Sequence, residues 1–179
     1  MKYIFCLILG FMINNAIAHD HDHNYYAKAT LYDQTGNPVG KVKFTQQKDD
    51  VVVDVHVGNL TPGFHGFHIH AIGECISSPP APPFTSSGPH FELLGRTHRN
   101  HTGDLPVLLV NADGTAKAKF KTDRFRVADL SDADGSAVII HENADNYANI
   151  PTLRYDPDPD AITLATGDAG ARIACGIVR

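Results

Sequence analysis

The stretch VVVDVHV, residues 51–57, decides the fold class. In an extended chain, successive side chains point to opposite faces. Val51, Val53, Val55 and Val57 therefore share one apolar face, while Asp54 and His56 face the other way, as in a half-buried strand. His56 reads as an exposed strand residue, not a ligand. Upstream, Asp49-Asp50 breaks the pattern, residues 39–44 alternate again, QTGNP at 34–38 is a turn cluster, and residues 26–32 alternate before it. Downstream, residues 66–72, 105–110, 115–121, 136–141 and 172–178 complete the strand candidates, with Asn111-Ala112-Asp113-Gly114 reading as a hairpin turn. No segment carries a sustained helical period. Many short strands between turns imply an all-β sandwich or barrel. Two long stretches, 75–104 and 142–171, hold most of the 11 prolines. Loops of that length in a compact domain are functional or disordered.

The chain has 179 residues, a length that suits one domain. Its 42% hydrophobic and 20% charged content is that of a globular chain. The formal charge of −5 argues against a nucleic-acid protein, which would show basic patches. Residues 1–18 (MKYIFCLILGFMINNAIA) combine Lys2, an apolar run and a small-residue Ala16-Ile17-Ala18 site, which is the pattern of a cleaved signal peptide. Cys6 lies early in that run, so a lipid-anchored Cys is the weaker reading. No other stretch is long enough for a membrane span. The expected organisation is a signal peptide over 1–18, a His-rich tail over 19–25 and one domain over 26–179. Export to an oxidising compartment leaves Cys75 and Cys175, which permit one disulfide. Such a bridge closes a loop of about 100 residues, worth roughly 4–5 kcal/mol by chain entropy.

The 11 histidines invite a metal reading. His19, His21 and His23 alternate with Asp20 and Asp22, either as a metal-recruiting tail or as a solvated terminus. His68-Ile69-His70 places two imidazoles on one strand face, where they can chelate one ion. His90, His98, His101 and Asp104 follow as H-x7-H-x2-H-x2-D, three imidazoles and a carboxylate that make a tetrahedral zinc set. His141 ends the strand Val138-Ile139-Ile140.

GFHGFHIHAIG (63–73), SGPHF (87–91), TGDLP (102–106), VIIHE (138–142) and GARIACGI (170–177) together resemble the Cu/Zn superoxide dismutase family, bacterial periplasmic type. The resemblance runs in order from about Ala27 to Arg179. It implies an eight-stranded antiparallel Greek-key barrel or sandwich with two long functional loops. It implies copper on His68, His70, His90 and His141, and zinc on His90, His98, His101 and Asp104, with His90 bridging the two. A ring metallated on both nitrogens must lose its proton, and two cations make that feasible. Asp145 matches the residue that hydrogen-bonds ligands of both metals, here His68 and His98. His65 matches a structural His. Arg172 matches the Arg that stands beside copper and docks the anion, and Cys75–Cys175 matches the family's disulfide.

The implied reaction converts two superoxides and two protons to O2 and hydrogen peroxide. Copper would cycle between Cu(II) and Cu(I), His90 would take and return a proton, and zinc would stay redox-silent. The implied place is the periplasm, the implied substrate superoxide, and the implied assembly a monomer or a homodimer. Two alternatives remain: a copper-binding or delivery module, and a copper-only dismutase with a degenerate zinc site. The chain departs from the family in three places. Only two residues separate His98 from His101, Glu92-Leu93 replaces a polar residue and Pro, and the second loop is expanded and acidic at Pro157-Asp158-Pro159-Asp160. An acidic loop beside the copper would repel superoxide.

Overall fold

The computed structural model describes residues 25–150, 156 and 158–179. The expected signal peptide over 1–18 and the tail histidines His19, His21 and His23 lie outside them. Among the described residues, no helix is long and apolar enough to cross a membrane.

The described residues form nine strands: β1 (Tyr26–Asp33), β2 (Pro38–Gln47), β3 (Asp50–Val57), β4 (Gly63–His65), β5 (Phe67–His70), β6 (Leu108–Val110), β7 (Ala116–Thr122), β8 (Ala137–His141) and β9 (Arg172–Ile177). Seven of them make one antiparallel sheet in the order β5-β8-β9-β1-β2-β3-β7, and β4 pairs with β6 in a second. The alternating pattern dictates which side closes on the core. Ala27, Ala29 and Leu31 of β1, Val42 and Phe44 of β2, and Val51, Val53 and Val55 of β3 all point inward. Leu108 and Val110 of β6 join the same cluster, so the small ladder packs onto the large sheet. His56 is exposed, beside Asp54 at 3.0 Å.

Three expectations need adjustment. The strand expected over 66–72 is shorter, β5 at Phe67–His70, and a separate strand, β4 at Gly63–His65, precedes it in the other sheet; Gly66 between them has no room for a Cβ, which would press on Ala169 and His141. The Asn111–Gly114 turn closes, with Asn111 N–H donating to Thr115 O at 2.8 Å, but its arms part: β6 joins β4 and β7 joins β3. The second loop also contains a one-and-a-half-turn helix, α1 (Ala161–Thr166). Asp160 caps it by accepting from Thr163 N–H at 2.8 Å, and Gly167 ends it in the left-handed conformation. A helix this short is marginal by itself and exists through its tertiary contacts.

Candidate metal centre

β5 is buried on both faces although two of its four residues are histidines. Phe67 and Ile69 face the core, and His68 and His70 face the loops. Its free edge is covered by the first long loop. Phe91 N–H donates to Ile69 O at 2.8 Å, Ile69 N–H to Gly103 O at 2.9 Å, and Ala71 N–H to Pro89 O at 3.0 Å. These bonds satisfy edge groups that would otherwise stand open. They also place His90 opposite His70 and Asp104 opposite His68. Gly103 is required at that approach, since a Cβ would collide with the Ile69 carbonyl. His141 arrives from β8, where the pairing slips so that Arg172, not Ile173, stands opposite it. Bulges of this kind re-aim side chains beside functional sites.

The side chains then converge as two sets sharing one residue. The ligand atoms of His68, His70, His90 and His141 lie within 4.8 Å of one another, as do those of His90, His98, His101 and Asp104. Four of the imidazoles are oriented by their outer nitrogens. His68 Nε2 meets Asp145 Oδ2 at 2.8 Å, and His98 Nε2 meets Asp145 Oδ1 at 2.9 Å. His70 Nδ1 donates to Gly88 O at 2.9 Å and His141 Nδ1 to Gly170 O at 3.2 Å. A carboxylate or carbonyl only accepts, so each of these outer nitrogens carries a proton, and in the neutral rings of His68, His70 and His141 the inner one is left with its lone pair. His65 is different: both ring nitrogens meet carbonyls, of His141 and Thr61, each at 2.7 Å. It braces the β8 end and has no nitrogen free for an ion.

The inner nitrogens test whether metals fit. His68 Nδ1, His70 Nε2, His90 Nε2, His98 Nδ1, His101 Nδ1 and His141 Nε2 are buried and have no hydrogen-bond partner. A buried orphan polar atom costs about 1–3 kcal/mol. Orphan lone pairs that all converge on two points are satisfied together by two cations. Four imidazoles suit Cu(II), and three imidazoles with a carboxylate suit zinc. The short His98–His101 spacing does not open the second set: Asp104 Oδ2 lies 3.2 Å from the Nδ1 atoms of both residues.

Burial and neighbours set His98 apart from the other imidazoles, among them His101 of its own set, which burial lowers. Burial pulls His68 down to about 4 and His141 to about 3, and takes His70 well below the ordinary imidazole value. Burial also opposes charge on His98, but the Asp104 and Asp145 carboxylates outweigh it and raise this imidazole to about 9. The same imidazoles, acting against burial, hold Asp104 and Asp145 well below the usual carboxylate range.

A cavity of about 370 Å³ opens onto the first set, lined by His70, His90, His141, Ile162, Thr166, Asp168, Gly170 and Arg172. Arg172 is pinned there: Nη1 donates to Phe84 O at 2.8 Å and to Ser87 Oγ at 2.9 Å, and Nη2 to Gly88 O at 2.8 Å. The Cys75–Cys175 disulfide forms, tying the loop that carries these acceptors to β9. The acidic motif in the second loop does not face the cavity with its Asp160, which is engaged as the α1 cap. The carboxylate that lines the mouth is Asp168. Sequence reading missed it, as it missed Gly167, whose Cβ would strike Asp145 Oδ1 and His98 Nε2. The only signal for either was its place in the six residues before Arg172.

Known proteins agree with this geometry. The family model described as copper/zinc superoxide dismutase matches residues 39–178. Superoxide dismutase [Cu-Zn] of Mycobacterium tuberculosis is 42% identical over 164 residues, which cover 84% of this chain and 68% of that protein. The enzyme of the same name from Photobacterium leiognathi is 35% identical, with 82% of each chain covered. The solved Cu/Zn superoxide dismutase from Brucella abortus superposes with a TM-score of 0.68 at 27% identity, covering 87% of this chain and all of that one. With two adjoining ligand sets, a pinned guanidinium at the mouth and these relatives, the chain belongs to the copper/zinc superoxide dismutase family.

Proposed function

We infer that this protein is a periplasmic superoxide dismutase in which His68, His70, His90 and His141 hold copper, and His90, His98, His101 and Asp104 hold zinc. The observation that carries the reading is the set of six buried, partnerless ring nitrogens converging behind an Arg-lined mouth. Copper supplies one-electron chemistry by alternating between Cu(II) and Cu(I), and zinc, being d10, supplies charge without redox change.

The protein's own residues do the rest. Arg172 keeps a permanent positive charge, and its three backbone and hydroxyl anchors fix where the guanidinium points. A small anion entering the cavity meets it beside the copper ligands. Asp145 holds His68 and His98 in one orientation, which couples the two sites mechanically. His90 lines the cavity, and its Nε2, the nitrogen not engaged by Asp104, would take a proton and return it as peroxide forms. Atoms balance: two superoxides and two protons leave as O2 and hydrogen peroxide.

Arg172 at the mouth favours the enzyme over a copper-delivery module, because a carrier needs no anion dock. The intact zinc set favours the two-metal enzyme over a copper-only one. Periplasmic placement is supported by the N-terminal pattern, the disulfide and the bacterial relatives; a homodimer remains an alternative to a monomer. The test is superoxide dismutation by the chain reconstituted with copper and zinc, with cyanide as control. Fast, cyanide-sensitive turnover is expected. Full copper loading with negligible turnover would move the reading to the carrier.

A further inference from the structure

We propose that Glu92 is a positioning residue for zinc, closing the shortened segment 93–101 so that His98 and His101 stand ready before the metal arrives. The inference rests on the reading that His90, His98, His101 and Asp104 hold zinc.

Glu92 accepts five hydrogen bonds. Oε1 takes Leu94 N–H at 2.6 Å, Arg96 N–H at 3.1 Å and Arg96 Nε at 3.4 Å. Oε2 takes Thr102 N–H at 2.6 Å and Thr102 Oγ1 at 3.2 Å. One carboxylate thus joins the beginning of the segment to its end. The Thr102 hydroxyl completes the knot by accepting from Leu93 N–H at 3.1 Å and Arg96 Nη2 at 3.0 Å. With one donor and two lone pairs engaged, that hydroxyl is saturated. Thr102 is fully buried and the Glu92 side chain is only 14% exposed, so the bonds between them are partly shielded from solvent. On the far side, Arg124 Nη1 donates to His101 O at 2.8 Å and Arg99 O at 3.2 Å.

The consequence is physical. A loop that presents two ligands must lose conformational freedom when it binds, and that loss weakens binding unless something has already ordered the loop. Hydrogen bonds to an ionised carboxylate are about twice as strong as neutral ones. Glu92 spends them where the segment departs and returns, two residues after His90. A short spacer between His98 and His101 then becomes compatible with a closed site, because the neck and not the spacer sets the loop's shape. Neither Glu92 nor Thr102 belongs to a ligand set, and three of the four first-set imidazoles, His68, His70 and His141, come from β5 and β8 outside the knotted segment, so copper leans on the knot far less than zinc does.

The experiment titrates zinc into the full chain, already loaded with copper, against a zinc-chelating dye, and measures copper affinity in parallel. Variants are E92Q, which preserves shape but turns an NH2 toward backbone donors, E92A, T102V and T102S. Wild type should bind one zinc. E92Q and E92A should bind it about tenfold more weakly or worse and release it faster, with copper affinity within about twofold. T102S should match wild type and T102V should follow the Glu92 variants. Zinc held by E92Q as tightly as by wild type, or copper and zinc weakened alike, overturns the positioning role. A wild-type chain that takes copper and no zinc overturns the zinc assignment itself, and this proposal with it.

Discussion

His70 and Arg172 share one acceptor: the Gly88 carbonyl takes His70 Nδ1 at 2.9 Å and Arg172 Nη2 at 2.8 Å. A residue of the first ligand set and the guanidinium proposed to dock the anion are therefore registered to the same backbone atom. The dock cannot drift without disturbing the ligand, and a guanidinium is needed to span all three of its anchors.

This registration separates charge from geometry. Arg172→Ala should lower kcat/KM for superoxide by at least about tenfold while copper content stays full, since it removes local attraction and leaves all four imidazoles. Arg172→Lys should recover only part, because an ammonium lacks the planar fork that reaches Phe84 O, Ser87 Oγ and Gly88 O together. Dismutation kinetics on metal-quantified protein check this, and unchanged kcat/KM for Arg172→Ala would remove Arg172 from the reaction.

Asp168 should act in the opposite sense. Its carboxylate lines the mouth, held by Asn146 Nδ2 at 2.9 Å and Thr163 Oγ1 at 2.8 Å on Oδ2. Asp168→Asn keeps an acceptor oxygen for both donors and removes the charge. Superoxide capture should rise by about twofold at low ionic strength, and the gain should shrink with salt as screening sets in. Equal rates at every salt concentration would count against a repulsive mouth.

Asp145→Ala removes the only carboxylate that holds both His68 Nε2 and His98 Nε2. Both rings lose their fixed orientation. Zinc affinity should fall by about 10–100-fold, with a smaller loss for copper, whose other imidazoles keep their own carbonyl partners. Metal competition titrations give both numbers, and unaltered zinc binding would reject the bridge.

Gly167→Ala should disturb the same carboxylate from the other side. The position is left-handed at φ 62°, which an L side chain adopts at a penalty of about 1–2 kcal/mol, and the new methyl would meet Asp145 and His98. A midpoint lowered by several degrees and a loss of zinc are expected by calorimetry and metal analysis.

Acid should strip the two metals in order. Zinc must displace a proton from His98, which holds one up to about pH 9, so apparent zinc affinity falls as pH drops below that value. His68 and His141 bind protons only near pH 4 and 3, so protons do not compete for copper until far lower pH. Dialysis across a pH series followed by metal analysis should show zinc leaving first. Simultaneous loss would contradict the division of the site.

Some of this was legible in the residues and some was not. The valine alternation at 51–57 gave β3 and its inward face, because period-two patterning depends on neighbours alone. His68 and His70 were legible for the same reason, being two positions apart on one strand. The boundary at Gly66 between β4 and β5 was not, because Ala169 and His141, which leave no room for a Cβ there, come from remote parts of the chain. Helix α1 was missed because six residues are too few to show a period, and Asp160, taken as loose acidity, was its cap.

By itself, then, the sequence determined the all-β pattern, the supply of imidazoles and carboxylates, and the two cysteines, since each follows from residue type and short spacing. The tertiary structure decided what those groups became. It set His90 and Asp104 against β5, bound Asp145 to His98 across 47 residues, and carried Arg172 to Phe84 across 88. It also spent Glu92 on a loop neck and placed Asp168 at the cavity mouth. The physical reason is that edge hydrogen bonds, bulges and steric exclusion between distant segments leave no period in the chain, and only packing selects among them.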